Sequence, residues 1–124
     1  MNASPAPAAN RNLTLVGRLM LIEAVTFAIA SILHFGVAES FIGAAIPEAI
    51  IAVVLGAGAI AVLRRGAGAW GLGLATTLFA LAGVIIGLSV ILGERVSRPI
   101  DLAYHVTIFV ALVVTVIILV IARR

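Results

Sequence analysis

The sequence predicts an all-α fold: an integral membrane four-helix bundle with its N- and C-termini cytoplasmic. Three observations predict it. Hydrophobic residues make up 64% of the 124-residue chain and charged residues only 10%, against roughly 25% charged in a soluble domain. Polar groups are therefore too few to cover a water-facing surface. The apolar residues collect in four stretches, most of them meeting the about 20 residues that a helix needs to cross a bilayer. The arginines stand at the ends of those stretches, where they act as topology signals.

Residues 1–12 are small, polar and proline-containing, and read as a disordered cytoplasmic tail. The remainder, 13–124, reads as one four-helix domain. The first helix is expected over about 13–37. It is too long for a secretory signal, contains Glu23 and has no convincing cleavage site. The second is expected over about 46–63, a little short, so that a start nearer Phe41 would suit it better. Pro47 fits its first turn, where a missing N–H costs nothing. Arg64, Arg65 and Gly66 close it, with cations at the negative pole and a glycine stop. The third helix is expected over about 70–92 and the fourth over about 99–122, with Pro99 in the fourth helix's first turn and Arg123 and Arg124 at its end.

Alternating helices place Arg11, Arg18, Arg64, Arg65, Arg123 and Arg124 on one side and only Arg95 and Arg98 on the other. This bias predicts cytoplasmic termini, in the inner or plasma membrane of a bacterial cell. Trp70 then lies at the inner interface and Tyr104 near the outer one. All eight basic residues are arginine, and no aromatic-interleaved basic patch exists, so the net charge of +3 does not point to nucleic acid. The absence of cysteine excludes iron–sulfur clusters and covalent haem.

Small residues form stripes on two helices: Gly73, Thr76, Ala80, Gly83 and Gly87 on the third, and Ala49, Ala52, Gly56 and Ala59 on the second. Such faces let membrane helices approach closely. They are expected to pack the second and third helices together, with a homo-oligomer or larger complex as the alternative use. Gly66-x-Gly68-x-x-Gly71 matches a dinucleotide fingerprint in letters only, because it follows a membrane helix instead of a strand.

The functional signal lies in Glu23, His34, Glu48, Asp101 and His105, ionisable side chains inside or at the mouths of apolar segments. Intramembrane ionisable groups are expensive and usually face a bundle interior. Glu48 and Asp101 have a simple structural reading, since carboxylates early in a helix stabilise its positive pole. Asp101 and His105 are four residues apart and share a face, which predicts a hydrogen-bonded pair. Glu23 falls near the middle of the first helix, beyond the reach of helix-end effects. It shares a face with His34, eleven residues on. Thr76, Thr77, Thr107 and Thr115 are its candidate partners.

Three functions follow from this set. One is an intrabundle site, open to the outer leaflet, that binds a small hydrophobic ligand, a metal ion or a b-type haem. Glu23, His34, Glu48, Asp101, Tyr104 and His105 would line it. His34, Glu48, Asp101 and His105 would be the metal ligands, or His34 and His105 the haem ligands. Another is acid–base catalysis on a lipid-soluble substrate, with Glu23 as proton donor or acceptor beside the Asp101/His105 pair. The last is a non-catalytic accessory subunit of a larger membrane complex. The chain is similar to small multidrug pumps in length, helix count and a carboxylate in the first helix, here Glu23. Their aromatic-rich substrate face has only Phe27 and Phe35 to match it in that helix. It is also similar to small DoxX-like membrane proteins in length and helix count. No residue motif places it in either group.

Overall fold

The computed structural model describes residues 7–37, 41–94 and 98–123. Among them are four helices: α1 Pro7–His34, α2 Ile42–Arg64, α3 Ala69–Gly93 and α4 Pro99–Ala122. Each is long and apolar enough to cross a membrane. Large aliphatic side chains such as Ile22, Val53, Ile86 and Ile117 are left exposed on their outer faces. The chain has the build of a small multi-pass membrane protein.

Two boundaries differ from expectation in ways that matter. Helix α1 starts at Pro7, so residues 7–12 are helical where disorder was expected; residues 1–6 lie outside the described residues. Pro7 needs no N–H at a first helical position, and Ala8 and Ala9 are the strongest of helix formers. The same helix ends at His34, short of Val37, because Gly36 adopts a left-handed φ of 115° that stops helix propagation.

Helix α2 starts at Ile42, and Pro47 lies inside it. The earlier start supplies the length to span, and carries Glu48 out of the first turn. No acidic residue remains in that turn of α2, so the helix pole does not account for Glu48. Helices α3 and α4 begin and end within a residue of expectation, with Pro99 at the start of α4 and Asp101 in its first turn.

The helices run up and down around a ring, with α1–α2, α2–α3, α3–α4 and α4–α1 as neighbours. Their buried faces follow the 3–4 rhythm of helix packing. On α1 the buried stripe is Val16, Met20, Glu23, Phe27, Ser31 and His34; on α4 it is His105, Ile108, Leu112, Thr115 and Leu119. The chain ends and the α2–α3 turn meet at one end of the bundle. There Trp70 Nε1 donates to the Leu119 carbonyl at 2.8 Å, Arg65 donates to Thr14 at 2.7 Å, and Arg123 stacks over Trp70 at 4.3 Å. The Gly66–Gly71 stretch is this turn and the first three residues of α3, with Arg65 and Gly68 in left-handed conformations.

Glycines set the closest helix approaches within the chain. A Cβ on Gly73 would meet Val62 at 2.6 Å, one on Gly83 would meet Ile51 at 2.5 Å, and one on Gly87 would meet His105 Nε2 at 2.7 Å. The small stripe of α3 is thus used against α2 and α4 of the same molecule.

Candidate functional site

His34, at the last turn of α1, is the centre of the polar end. Its Nδ1 lies 2.7 Å from Glu48 Oε2 of α2, and its Nε2 lies 3.3 Å from Asp101 Oδ1 of α4. All three side chains are at least four-fifths buried. Three of the five sequence-singled residues therefore meet across three helices. Two hydrogen bonds to carboxylate oxygens require two protons among the three groups. Either an imidazolium sits between two carboxylates, or a neutral imidazole sits beside one protonated acid. In both cases the trio carries one net negative charge. Arg98 extends the chain of polar contacts: its Nη1 lies 3.6 Å from Asp101 Oδ2, its Nε donates to Glu94 Oε2 at 2.8 Å, and its guanidinium lies 4.6 Å over the Phe41 ring.

His105 stands beside the trio but is held differently from expectation. Its Nδ1 donates to the backbone carbonyl of Asp101 at 2.9 Å, not to the carboxylate. The carboxylate reaches across to His34 and Arg98, which are the charged or protonatable partners available to it. One turn of helix brings the Asp101 carbonyl to the His105 ring with no rearrangement.

Glu23 is a separate place in the molecule. It lies eleven residues below His34 on the same stripe, about 16 Å along the axis at 1.5 Å per residue. Thr115 donates to its Oε1 at 2.8 Å across the bundle, and Oε2 is buried with no hydrogen-bond partner. The other candidate threonines bond their own helices, Thr76 and Thr77 to the Gly73 carbonyl and Thr107 to the Ala103 carbonyl. A threonine satisfied by the carbonyl one turn back has no hydrogen left for a neighbouring helix.

A cavity of about 120 Å³ lies against the polar end, between α2 and α3. His34, Glu48, Asp101 and His105 form its polar wall, and Phe27, Phe41, Ile51 and Val84 contribute apolar surface. Gly43 and Pro47 of α2 and Ile86 and Val90 of α3 also line it, and all four are exposed on the outside of the bundle. The cavity is therefore rimmed by residues on the outer surface of the bundle. Glu23 and Tyr104 do not line it. Tyr104 packs behind it, edge-on to Phe27 at 6.3 Å and to His105 at 5.1 Å between ring centres, with its hydroxyl buried and unpartnered.

The donor atoms pair with one another instead of converging on a common point. Among the described residues no group of three or more His, Asp or Glu side chains is placed to hold a metal ion. A metal or haem iron takes a nitrogen lone pair from each histidine ligand. Both nitrogens of His34 face carboxylate oxygens, and only Nε2 of His105 is uncommitted. The arrangement favours proton sharing over metal ligation.

Sequence reasoning missed Phe41, Gly83 and Gly87 as parts of the site. The glycines carried a signal, a GxxxG on α3, but the partner that one of them seats is a histidine ring, which no spacing announces. No protein-family model, curated protein or solved structure matches this chain.

Proposed function

We propose that this protein binds a small lipid-soluble molecule in the cavity between α2 and α3, at the polar end of the bundle. The observation that carries this reading is the union of an apolar cavity, rimmed by residues on the outer surface of the bundle, with a wall of four ionisable side chains from three helices. Pockets that bind small molecules combine this kind of apolar lining with a few convergent polar groups. The cavity's size suits one ring or a short branched group, with any longer tail left in the bilayer. Of the residues first considered for such a site, His34, Glu48, Asp101 and His105 line the cavity; Tyr104 packs behind it against Phe27 and His105, and Glu23 lies elsewhere in the bundle.

The excess of arginines supports an orientation in which the chain ends face the cytoplasm of an inner or plasma membrane. Arg11, Arg18, Arg64, Arg65 and Arg123 occupy that end of the described chain and Arg98 the other. The cavity then lies near the outer leaflet. His34, held between two carboxylates, also supports acid–base chemistry on the bound molecule, because the trio can exchange a proton without moving a helix.

The test is thermal unfolding of the detergent-solubilised protein with a panel of lipid-soluble, single-ring compounds. At least one compound should raise the midpoint of the native chain and not that of Ala44→Phe, because Ala44 lines the cavity and the added ring would occupy it. No stabilisation of the native chain, or equal stabilisation of both, would overturn the reading.

A further inference from the structure

The side chains around the cavity offer hydrogen-bond acceptors, while their own donors are already engaged. Glu48 lines the cavity, is 4% exposed, and keeps Oε1 buried without a partner. His105 donates its Nδ1–H to the Asp101 carbonyl, so in the neutral ring Nε2 holds the lone pair. That nitrogen lies over Gly87, where a methyl group would come within 2.7 Å of it. Pro47 has no N–H to close on the carbonyl of Gly43 one turn earlier, and both residues line the cavity. The wall's remaining nitrogen donors are those of His34, which face Glu48 and Asp101 at 2.7 and 3.3 Å.

A buried acceptor left without a donor is costly, and a ligand that supplies the donor removes that cost. A ligand whose polar group only accepts would meet lone pairs. The apolar part of the cavity has room for one aromatic ring: about 120 Å³ compares with the roughly 150 Å³ of an engineered cavity that binds benzene. We propose that the ligand is a lipid-soluble phenol. Its ring lies against Phe27, Ile51 and Val84, and its hydroxyl donates to Glu48 Oε1, with His105 Nε2 and the Gly43 carbonyl as neighbouring acceptors. A para substituent leaves past Ile86 and Val90 into the bilayer.

This inference rests on the cavity being a ligand site, and matched probes separate the two. 4-Butylphenol and 4-butylanisole have the same ring and tail and differ in that a methyl group replaces the hydroxyl hydrogen. In nanodiscs, the native chain should bind the phenol about tenfold more tightly, the effect of one net hydrogen bond. In Glu48→Gln the amide oxygen stays with His34 and the NH2 takes the place of Oε1, so the preference should collapse. Equal binding of both probes to the native chain would overturn the phenol assignment and leave the cavity reading standing. Binding of neither would overturn both. Infrared spectra of the native chain give a readout independent of how Glu48→Gln folds. A phenol O–H stretch shifted down on binding supports donation to the wall, and an unshifted stretch overturns it.

Discussion

At His34 one imidazole bonds the buried carboxyl of Glu48 and the partly buried carboxylate of Asp101, and the consequence of losing it follows from what it leaves behind. His34→Leu strands Glu48 without a donor and leaves Asp101 to Arg98 alone. Breaking a buried pair from one side costs about 3–5 kcal/mol. Removing both sides, in His34→Leu/Glu48→Leu, should cost less than the sum of the single substitutions. The coupling should be on the order of 1–3 kcal/mol, read from a double-mutant cycle of unfolding in detergent. Simple additivity would mean that the 2.7 Å contact contributes nothing. Lower in the bundle, Thr115→Val removes the hydroxyl that donates to Glu23. Interhelical hydrogen bonds in membranes are worth about 0.6–2 kcal/mol, so a loss in that range is expected. Thr107→Val removes a hydroxyl that bonds only its own helix and serves as the matched control, expected to change stability by less than about 0.5 kcal/mol.

On the scale of elements, the α3 glycines decide how closely side chains of α2 and α4 can approach. Gly87 leaves room for the His105 ring, and a methyl there would come within 2.7 Å of Nε2. Gly87→Ala should therefore move the ring of His105, visible as a shift of its imidazole resonances in selectively labelled protein, and should lower stability by about 1–3 kcal/mol as overpacking does. Gly71, where a Cβ meets nothing within 4 Å, should accept alanine with a small gain from helix propensity. If both substitutions behave alike, Gly87 is not the seat of His105. Helix α2 shows how a boundary changes a residue's meaning. Read with Pro47 in the first turn, Glu48 is a carboxylate at a helix pole. With the helix starting at Ile42, it lies in the second turn and its explanation passes to His34 on another helix.

For the whole molecule, the up-and-down ring brings the chain ends and the α2–α3 turn to one end, and the α1–α2 and α3–α4 connections to the other. If the bundle spans a bilayer, single cysteines distinguish its faces cleanly, because the native chain has none. Val37→Cys and Ala67→Cys are both at exposed positions. A membrane-impermeant thiol reagent applied to intact cells should label Val37→Cys and reach Ala67→Cys only after lysis. The reverse pattern would invert the orientation read from the arginines, and labelling of both would contradict a spanning bundle.

Four apolar segments, the Arg64–Gly66 stop of α2, Pro99 at the start of α4 and the common end of His34, Glu48, Asp101 and His105 were legible in the chain; the start of α2 and the stop of α1 at Gly36 were not. Hydropathy and helix-breaking residues act locally, and helix rise converts sequence position into depth. The choice of Thr115 over three other threonines for Glu23 was not legible. Nor were the turn of the Asp101 carboxylate toward His34 and away from His105, or the cavity that includes four of the five ionisable residues and leaves out Glu23. Each of these depends on the rotation of one helix about its axis relative to its neighbours. That rotation is set by which side chains interlock across the interface, a property of pairs of helices that no single segment contains.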